Sequence, residues 1–207
     1  MEQLITEIVQ NLYRAGLVQI EVSARHVHLS QSDLETLFGA YGKLTPKREL
    51  SQPGQYLCEE RVNLIGSKGT KNHVAILGPV RKDTQVELSL SDCIELGLKA
   101  PIRESGDVEG SGQIKIEGPC GTIMINQGVI VAQNHIHVPT NIAKILNLKD
   151  KERVDVQAFS DRPVIFRNVL IRVSDKFRFR MHVDFDEANA AAIHGFVLGK
   201  IMQKVND

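Results

Sequence analysis

Two pairs of histidines carry the clearest chemical signal in this sequence of 207 residues. His26 and His28 form one His-x-His pair, and His135 and His137 form the other. Residues i and i+2 of a β-strand point to the same face, so each pair offers two imidazoles spaced about 7 Å along the chain. Imidazole is a preferred ligand of Zn²⁺ and of other divalent transition metals. One such pair alone is explained equally well by chance histidines on a half-exposed strand.

The two pairs occupy matching positions of an internal repeat. Residues 20–38 align with residues 129–147, and each segment contains a strand pattern, the histidine pair and then apolar residues at helical spacing. Further along, two alternating strand patterns align Glu87 with His182. Because chance histidines do not recur in register, the repeat favours a function for both pairs.

A third ligand completes each half of the repeat. Glu87 lies between apolar residues of a strand, where a carboxylate is costly to bury unless it is paired or bound to a metal. A salt bridge from Glu87 to Arg81 or Lys82 is the structural alternative. Three protein ligands leave one coordination position open, as in catalytic zinc sites. The predicted metal ligands are His26, His28 and Glu87 in the first half and His135, His137 and His182 in the second.

Composition limits the classes of function. The 25 basic and 25 acidic residues give a formal net charge of zero, which argues against a general nucleic-acid binder or a protein of anionic membranes. The sequence shows no apolar run of membrane-spanning length, so we expect a soluble, cytoplasmic protein without nucleic-acid or membrane partners. Three widely spaced cysteines fit neither a disulfide framework nor a cysteine-based zinc site.

The elements that must position these residues are mainly β. An amphipathic helix is predicted over residues 1–16, because its apolar residues fall on one stripe. Short strand patterns separated by Gly and Pro turns follow, and they predict one small β-barrel or sandwich over residues 17–112 and a related one over residues 113–207, each with short helices. Residues 105–112, rich in Gly and Ser, are the best candidate linker.

Five segments of the chain resemble the PduL-type phosphate propanoyltransferases, the phosphotransacylases of bacterial microcompartments. The resemblance covers nearly the whole chain from Val18 onward. The segments are SARHVHL (23–29), QPGQY (52–56), GPVRKDTQVELS (78–89), GVIVAQNHIHV (128–138) and MHVDFDEANAA (181–191).

The resemblance implies a zinc-dependent enzyme that interconverts an acyl-CoA plus phosphate with an acyl-phosphate plus CoA. It implies two Zn²⁺ ions per chain, one on each predicted triad, with the CoA sulfur meeting the ion held by the first. It also implies two barrels that exchange strands, and a homodimer. By motif, Arg81 is the phosphate-binding arginine, and Ser23 and Asn189 lie near the CoA pocket.

The residues are chemically coherent with that role. Arg81 can offer a planar fork to two phosphate oxygens, although a surface arginine paired with Asp83 is the structural alternative. Zinc lowers the pKa of a bound thiol, so CoA can leave as a zinc-bound thiolate. The sequence has no nucleophile motif of the Ser–His or Cys–His kind, which predicts direct attack of phosphate on the thioester without an acyl-enzyme.

The sequence is also compatible with two rival functions and with two locations in the cell. A binuclear zinc hydrolase of thioesters or phosphoesters would use water as acceptor, and a non-catalytic barrel would use its metals only for stability. The N-terminal helix either packs on the domain or, as in family members inside microcompartments, binds shell or cargo proteins. Localisation is therefore cytoplasmic or within a microcompartment.

Overall fold

The computed structural model describes residues 1–202 and is mainly β, as predicted. The described chain forms two compact units, one from residues 1–23 with residues 134–202 and the other from Ala24–Gln133. Each unit contains a closed barrel of six strands. We call them the terminal barrel, built from the two ends of the chain, and the middle barrel, built from residues 24–133.

The helices are short, and only the first exceeds eight residues. Two of them, in the middle and the terminal unit, begin with a capping box in which the side chains at the N-cap and N3 positions bond each other's backbone N–H. The helices are α1 (Glu2–Arg14), α2 (Gln31–Phe38), α3 (Leu90–Leu96), α4 (Thr140–Leu146) and α5 (Phe185–Ala190).

The strands are numbered in chain order. The terminal barrel contains β1 (Leu17–Val22), β10 (His135–Val138), β11 (Arg153–Phe159), β12 (Ile165–Val173), β13 (Arg180–Val183) and β14 (Val197–Met202). The middle barrel contains β2 (His26–His28), β4 (Tyr56–Ile65), β5 (Thr70–Gly78), β6 (Gln85–Leu88), β8 (Gly112–Glu117) and β9 (Thr122–Ala132), with β3 (Pro46–Glu49) and β7 (Ile102–Arg103) attached at its side.

Both barrels have the same cyclic order of parallel and antiparallel pairs. In the middle barrel, β2 runs parallel to β5 and antiparallel to β6, β6 runs parallel to β9, and β8 closes the ring between β9 and β4. In the terminal barrel, β10 runs parallel to β12 and antiparallel to β13, β13 runs parallel to β1, and β14 closes the ring between β1 and β11. The internal repeat of the sequence is thus a repeat of topology.

Strands of each predicted repeat lie in the barrel of the other: β1 of the first repeat lies in the terminal barrel, and β9 and nearly all of β8 of the second lie in the middle barrel. β1 precedes the histidine strand β2 in the chain but pairs with β13 and β14. β9 precedes the histidine strand β10 but pairs with β6 and β8. The compact units therefore divide the chain at 23/24 and 133/134, whereas the sequence placed the repeat boundary between residues 112 and 113. The repeat boundaries themselves stay a prediction.

The N-terminal helix packs by its C-terminal end. Tyr13 contacts Phe179 edge-to-face at 5.4 Å between ring centroids and packs on the core of the terminal barrel. The predicted apolar stripe of α1 is exposed nearer the N-terminus, with Leu4 60% and Ile5 55% accessible. None of the helices within residues 1–202 has the length and apolar character needed to cross a membrane.

A buried carboxylate connects the start of the histidine strand β2 to α3. Asp92 receives two hydrogen bonds from the Arg25 guanidinium at 2.9 and 3.0 Å, and the Lys71 ammonium lies 3.1 Å away. Burial raises the pKa of Asp92, but these two cations outweigh it, so the pKa lies below its ordinary value. The ion pairs therefore fix Arg25, the neighbour of His26, in place.

We expect Asp92→Asn to lower the free energy of unfolding by about 3 kcal/mol at pH 7, because two cations lose their partner. A carboxylate with a depressed pKa stabilises the fold above its unfolded pKa, and this contribution disappears as pH falls through the folded pKa. The difference from the native chain in urea unfolding should therefore shrink at pH 3. The exposed pair of Glu59 with Lys47 serves as control, since Glu59→Gln should change stability by under about 1 kcal/mol at both pH values.

Candidate metal centres

Strand register in the middle barrel places the three predicted ligands of the first half together. His26 and His28 share one face of β2, while Val27 between them is fully buried in the core on the other face. β6 runs antiparallel to β2 with Glu87 directly opposite His26. Facing residues of neighbouring strands are close enough for side-chain contact. The fold thus brings Glu87 to the two histidines across the 58 residues that separate it from His28 in the chain.

Backbone carbonyl groups orient both imidazoles of this triad. His26 Nδ1 lies 2.8 Å from the carbonyl oxygen of Ala24, and His28 Nδ1 lies 3.1 Å from that of Leu77. A carbonyl oxygen only accepts hydrogen bonds, so each Nδ1 carries the proton and each Nε2 presents its lone pair. Metal-binding histidines in proteins are held in this way.

The geometry of the triad fits a divalent cation. One donor atom from each of His26, His28 and Glu87 lies within 4.8 Å of the others. His26 Nε2 and Glu87 Oε2 are 3.5 Å apart, which is long for a hydrogen bond but close to the separation of about 3.4 Å between two tetrahedral zinc ligands. Two imidazoles and a carboxylate form a donor set that Zn²⁺ uses in catalytic sites.

The charges of the triad shift the pKa values of its members in different directions, and a bound cation would displace the proton that Glu87 favours on His26. Burial lowers the pKa of His26, but Glu87 outweighs this through its charge and hydrogen bond and raises it. His26 in turn lowers the pKa of Glu87 against the effect of burial. Burial, aided by the positive charges of His26 and Arg81, lowers the pKa of His28 to about 3. His28 is therefore a neutral imidazole at pH 7, with a lone pair ready to bind a cation.

Arg81 lies next to this triad. Its backbone N–H donates to the Leu29 carbonyl at 2.9 Å, directly after the histidine strand. Its guanidinium Nη1 donates to Ser105 Oγ at 3.1 Å, and Ser105 Oγ donates to Glu87 Oε1 at 2.7 Å. A single hydroxyl therefore connects the arginine to the carboxylate of the triad.

Sequence reasoning missed two residues of this site. The sequence pattern predicts a linker over residues 105–112, yet the Ser105 side chain joins Arg81 to Glu87. Gln85, whose side chain is buried, donates to Glu87 Oε1 at 2.6 Å and to Ser105 Oγ at 2.9 Å. The only sequence signal was the position of Gln85 two residues before Glu87, which places both on one face of β6.

The terminal barrel gathers the second triad by the same register. β13 runs antiparallel to β10 with His182 directly opposite His135. The Nε2 atoms of His135 and His137 are 3.0 Å apart, and the His182 ring centroid lies 5.3 and 5.0 Å from the centroids of those two rings. Three imidazoles in one cluster are again a donor set suited to a transition metal.

Two further groups border the second triad. Ser23 Oγ lies 3.3 Å from His182 Nδ1, so this predicted CoA-pocket residue contacts a predicted ligand. Glu21, which the sequence did not single out, accepts a hydrogen bond from Arg180 Nε at 2.9 Å and places its other carboxylate oxygen 3.9 Å from His182 Nε2. Asn189 lies on the exposed side of α5, and its place in a CoA pocket stays a prediction.

Comparison with known proteins gives one consistent family. A sequence model of the phosphate propanoyltransferase family matches residues 19–194. The chain is 44% identical to the phosphate propanoyltransferase of Clostridioides difficile (strain 630), over 99% of this chain and 98% of the relative. It is 50% identical to that of Sebaldella termitidis over 89% of this chain and 88% of the relative, and 49% identical to that of Thermotoga maritima over 92% and 91%. This chain therefore belongs to the phosphate propanoyltransferase family of acyltransferases.

Proposed function

We propose that this protein is a zinc-dependent phosphate acyltransferase, which interconverts a short acyl-CoA (propanoyl-CoA or acetyl-CoA) plus phosphate with acyl-phosphate plus CoA. The observation that carries the proposal is the contact of Arg81 with Ser105, and of Ser105 with Glu87, beside two oriented imidazoles. A guanidinium that can bind an anion therefore lies next to three side chains that can bind a cation. The names of the relatives support phosphate and the propanoyl group as the reacting species.

Two groups of side chains would hold the metals. His26, His28 and Glu87 form the first group, and their donor atoms are already within 4.8 Å of each other. His135, His137 and His182 form the second. Bound zinc supplies a Lewis acid for the thioester carbonyl and lowers the pKa of a coordinated thiol, which suits departure of CoA as a thiolate.

Arg81 holds and orients the phosphate. A guanidinium binds two oxygens of a phosphate through parallel hydrogen bonds, which neutralises charge and fixes the direction of the third oxygen. That oxygen attacks the thioester carbonyl carbon, the C–S bond breaks, and the electron pair leaves with the CoA sulfur. Transfer is direct, so acyl-CoA alone should leave no acyl group on any side chain of the protein.

Other assignments follow from family membership. Ser23 and Asn189 are proposed to lie near bound CoA, and the chain is proposed to form a homodimer.

The exposed stripe of α1, with Leu4, Ile5 and Ile8 at least half accessible, supports a role in binding microcompartment shell or cargo proteins. Removal of residues 1–8, which are exposed and exclude Tyr13, should then abolish co-localisation with shell proteins and leave turnover unchanged.

Release of CoA from propanoyl-CoA and acetyl-CoA should require both phosphate and metal. We expect CoA release to rise with phosphate to saturation, and to fall at least about 100-fold after a chelator removes the metals, with recovery on addition of Zn²⁺. Chromatography of the products identifies the acyl-phosphate. Release of free acid at a rate independent of phosphate would instead identify a zinc hydrolase and overturn the proposal.

A further inference from the structure

Gln85 lies next to the first triad, and every polar atom of its side chain is hydrogen-bonded. It lies on β6 two residues before Glu87 and is only 2% accessible. Its amide nitrogen donates to Glu87 Oε1 at 2.6 Å and to Ser105 Oγ at 2.9 Å. Its amide oxygen accepts the backbone N–H of Gly106 at 2.7 Å. Both amide protons and the amide oxygen are therefore used.

The Ser105 hydroxyl also uses its proton and both of its lone pairs in hydrogen bonds. Its hydroxyl donates its one proton to Glu87 Oε1, and accepts from Gln85 Nε2 and Arg81 Nη1. The direction of every bond is fixed, because a guanidinium only donates, a carboxylate only accepts, and the Gly106 N–H requires the oxygen of the Gln85 amide. The network thus has one arrangement of protons.

The two carboxylate oxygens of Glu87 have different contacts. Oε1 receives the hydrogen bonds of Gln85 and Ser105, whereas Oε2 faces His26 Nε2 at 3.5 Å. Held in this way, the carboxylate can present Oε2 alone to a cation. Removal of a group that orients a metal ligand typically lowers metal affinity by 10- to 100-fold.

We infer that Gln85 is a positioning residue, which aims the Glu87 carboxylate at the first metal and, through Ser105, fixes its distance from Arg81. The inference rests on the proposed function. It predicts that loss of Gln85 changes both zinc affinity and KM for phosphate, because the Gln85 amide contacts Glu87 and also Ser105, which bonds Arg81.

The terminal barrel has a polar residue at the matching position. Gln85 pairs with His28 across the strands in the middle barrel, and Arg180 pairs with His137 in the terminal barrel. Arg180 donates to Glu21, whose free oxygen lies 3.9 Å from His182 Nε2. In both halves, therefore, the residue two positions before the third ligand donates to a carboxylate, which is the ligand Glu87 itself in the first half and Glu21 beside the triad in the second.

The test replaces Gln85 by methionine, which preserves length and removes every hydrogen bond. Zinc affinity of both sites is measured by competition with a chromophoric chelator, and KM and kcat are measured with phosphate as the varied substrate. We expect one zinc site to weaken 10- to 100-fold, the other to stay within twofold, and KM for phosphate to rise at least fivefold. Gln127→Met is the matched control, because the Gln127 amide oxygen accepts the Gly110 N–H in the same segment but lies outside the network.

Each outcome decides the matter. Unchanged zinc affinities in a folded Gln85→Met variant, or equal losses in Gln127→Met, would overturn the inference alone. A native chain that binds no zinc would overturn the proposed function together with it. If Gln85→Met does not fold, Ser105→Ala is used instead, because it breaks the connection between Arg81 and Glu87 at a partly exposed residue. The inference then requires that Ser105→Ala weakens zinc binding and raises KM for phosphate.

Discussion

Glu87→Gln should reduce bound zinc from two ions to one per chain and lower turnover by about 1000-fold. The amide keeps an oxygen that accepts from Gln85 and Ser105, so the local structure is maintained while the anionic ligand is lost. Lewis-acid stabilisation by a metal amounts to several kcal/mol, and each 1.36 kcal/mol corresponds to a factor of ten in rate.

Metal content after dialysis and phosphate-dependent release of CoA are the two measurements. Glu59→Gln is the control, since Glu59 is a half-exposed glutamate of the same barrel that pairs with Lys47. Two zinc ions in a fully active Glu87→Gln variant would show that the carboxylate is no ligand, and the first metal site would then need another donor.

The clustering of the candidate ligands could largely be predicted, because the spacing of the histidines and the internal repeat point to the same residues. The His-x-His spacing fixes which face of a strand carries the imidazoles, whatever the rest of the fold does. The repeat then aligned Glu87 with His182, and the observed registers place these residues opposite His26 and His135 respectively. Two independent patterns thus identified the same cross-strand neighbours.

The supporting network could not be predicted, because it depends on contacts between distant segments. The pairing of β7 with β9 positions the segment that follows β7, and Ser105 in that segment contacts Glu87. A Gly- and Ser-rich segment that resembles a linker therefore forms part of the site. The division of the chain at 23/24 and 133/134 likewise arises from the pairing of β1 with β13 and of β9 with β6. Neither pairing leaves a local pattern in the sequence, and only the family resemblance implied that the barrels exchange strands.

The second large effect is expected for Arg81. Arg81→Ala removes the guanidinium but retains the backbone N–H that donates to Leu29, so the strand connection stays intact. We expect kcat/KM for phosphate to fall about 1000-fold, because two charge-assisted hydrogen bonds and the orientation of the attacking oxygen are lost. Arg81→Lys keeps the charge without the planar fork and should lose about 100-fold.

Zinc content separates this effect from damage to the metal site. Both variants should bind two zinc ions, and KM for the acyl-CoA should change less than KM for phosphate. Added guanidinium chloride at millimolar concentration should restore part of the activity of Arg81→Ala but none of Arg81→Lys, whose ammonium fills the space. Arg48→Ala, at an exposed arginine of β3, controls for general loss of positive charge. If phosphate saturates Arg81→Ala as readily as the native chain, the acceptor is bound by other groups, and the contact between Arg81 and Ser105 serves only to hold the segment that follows β7.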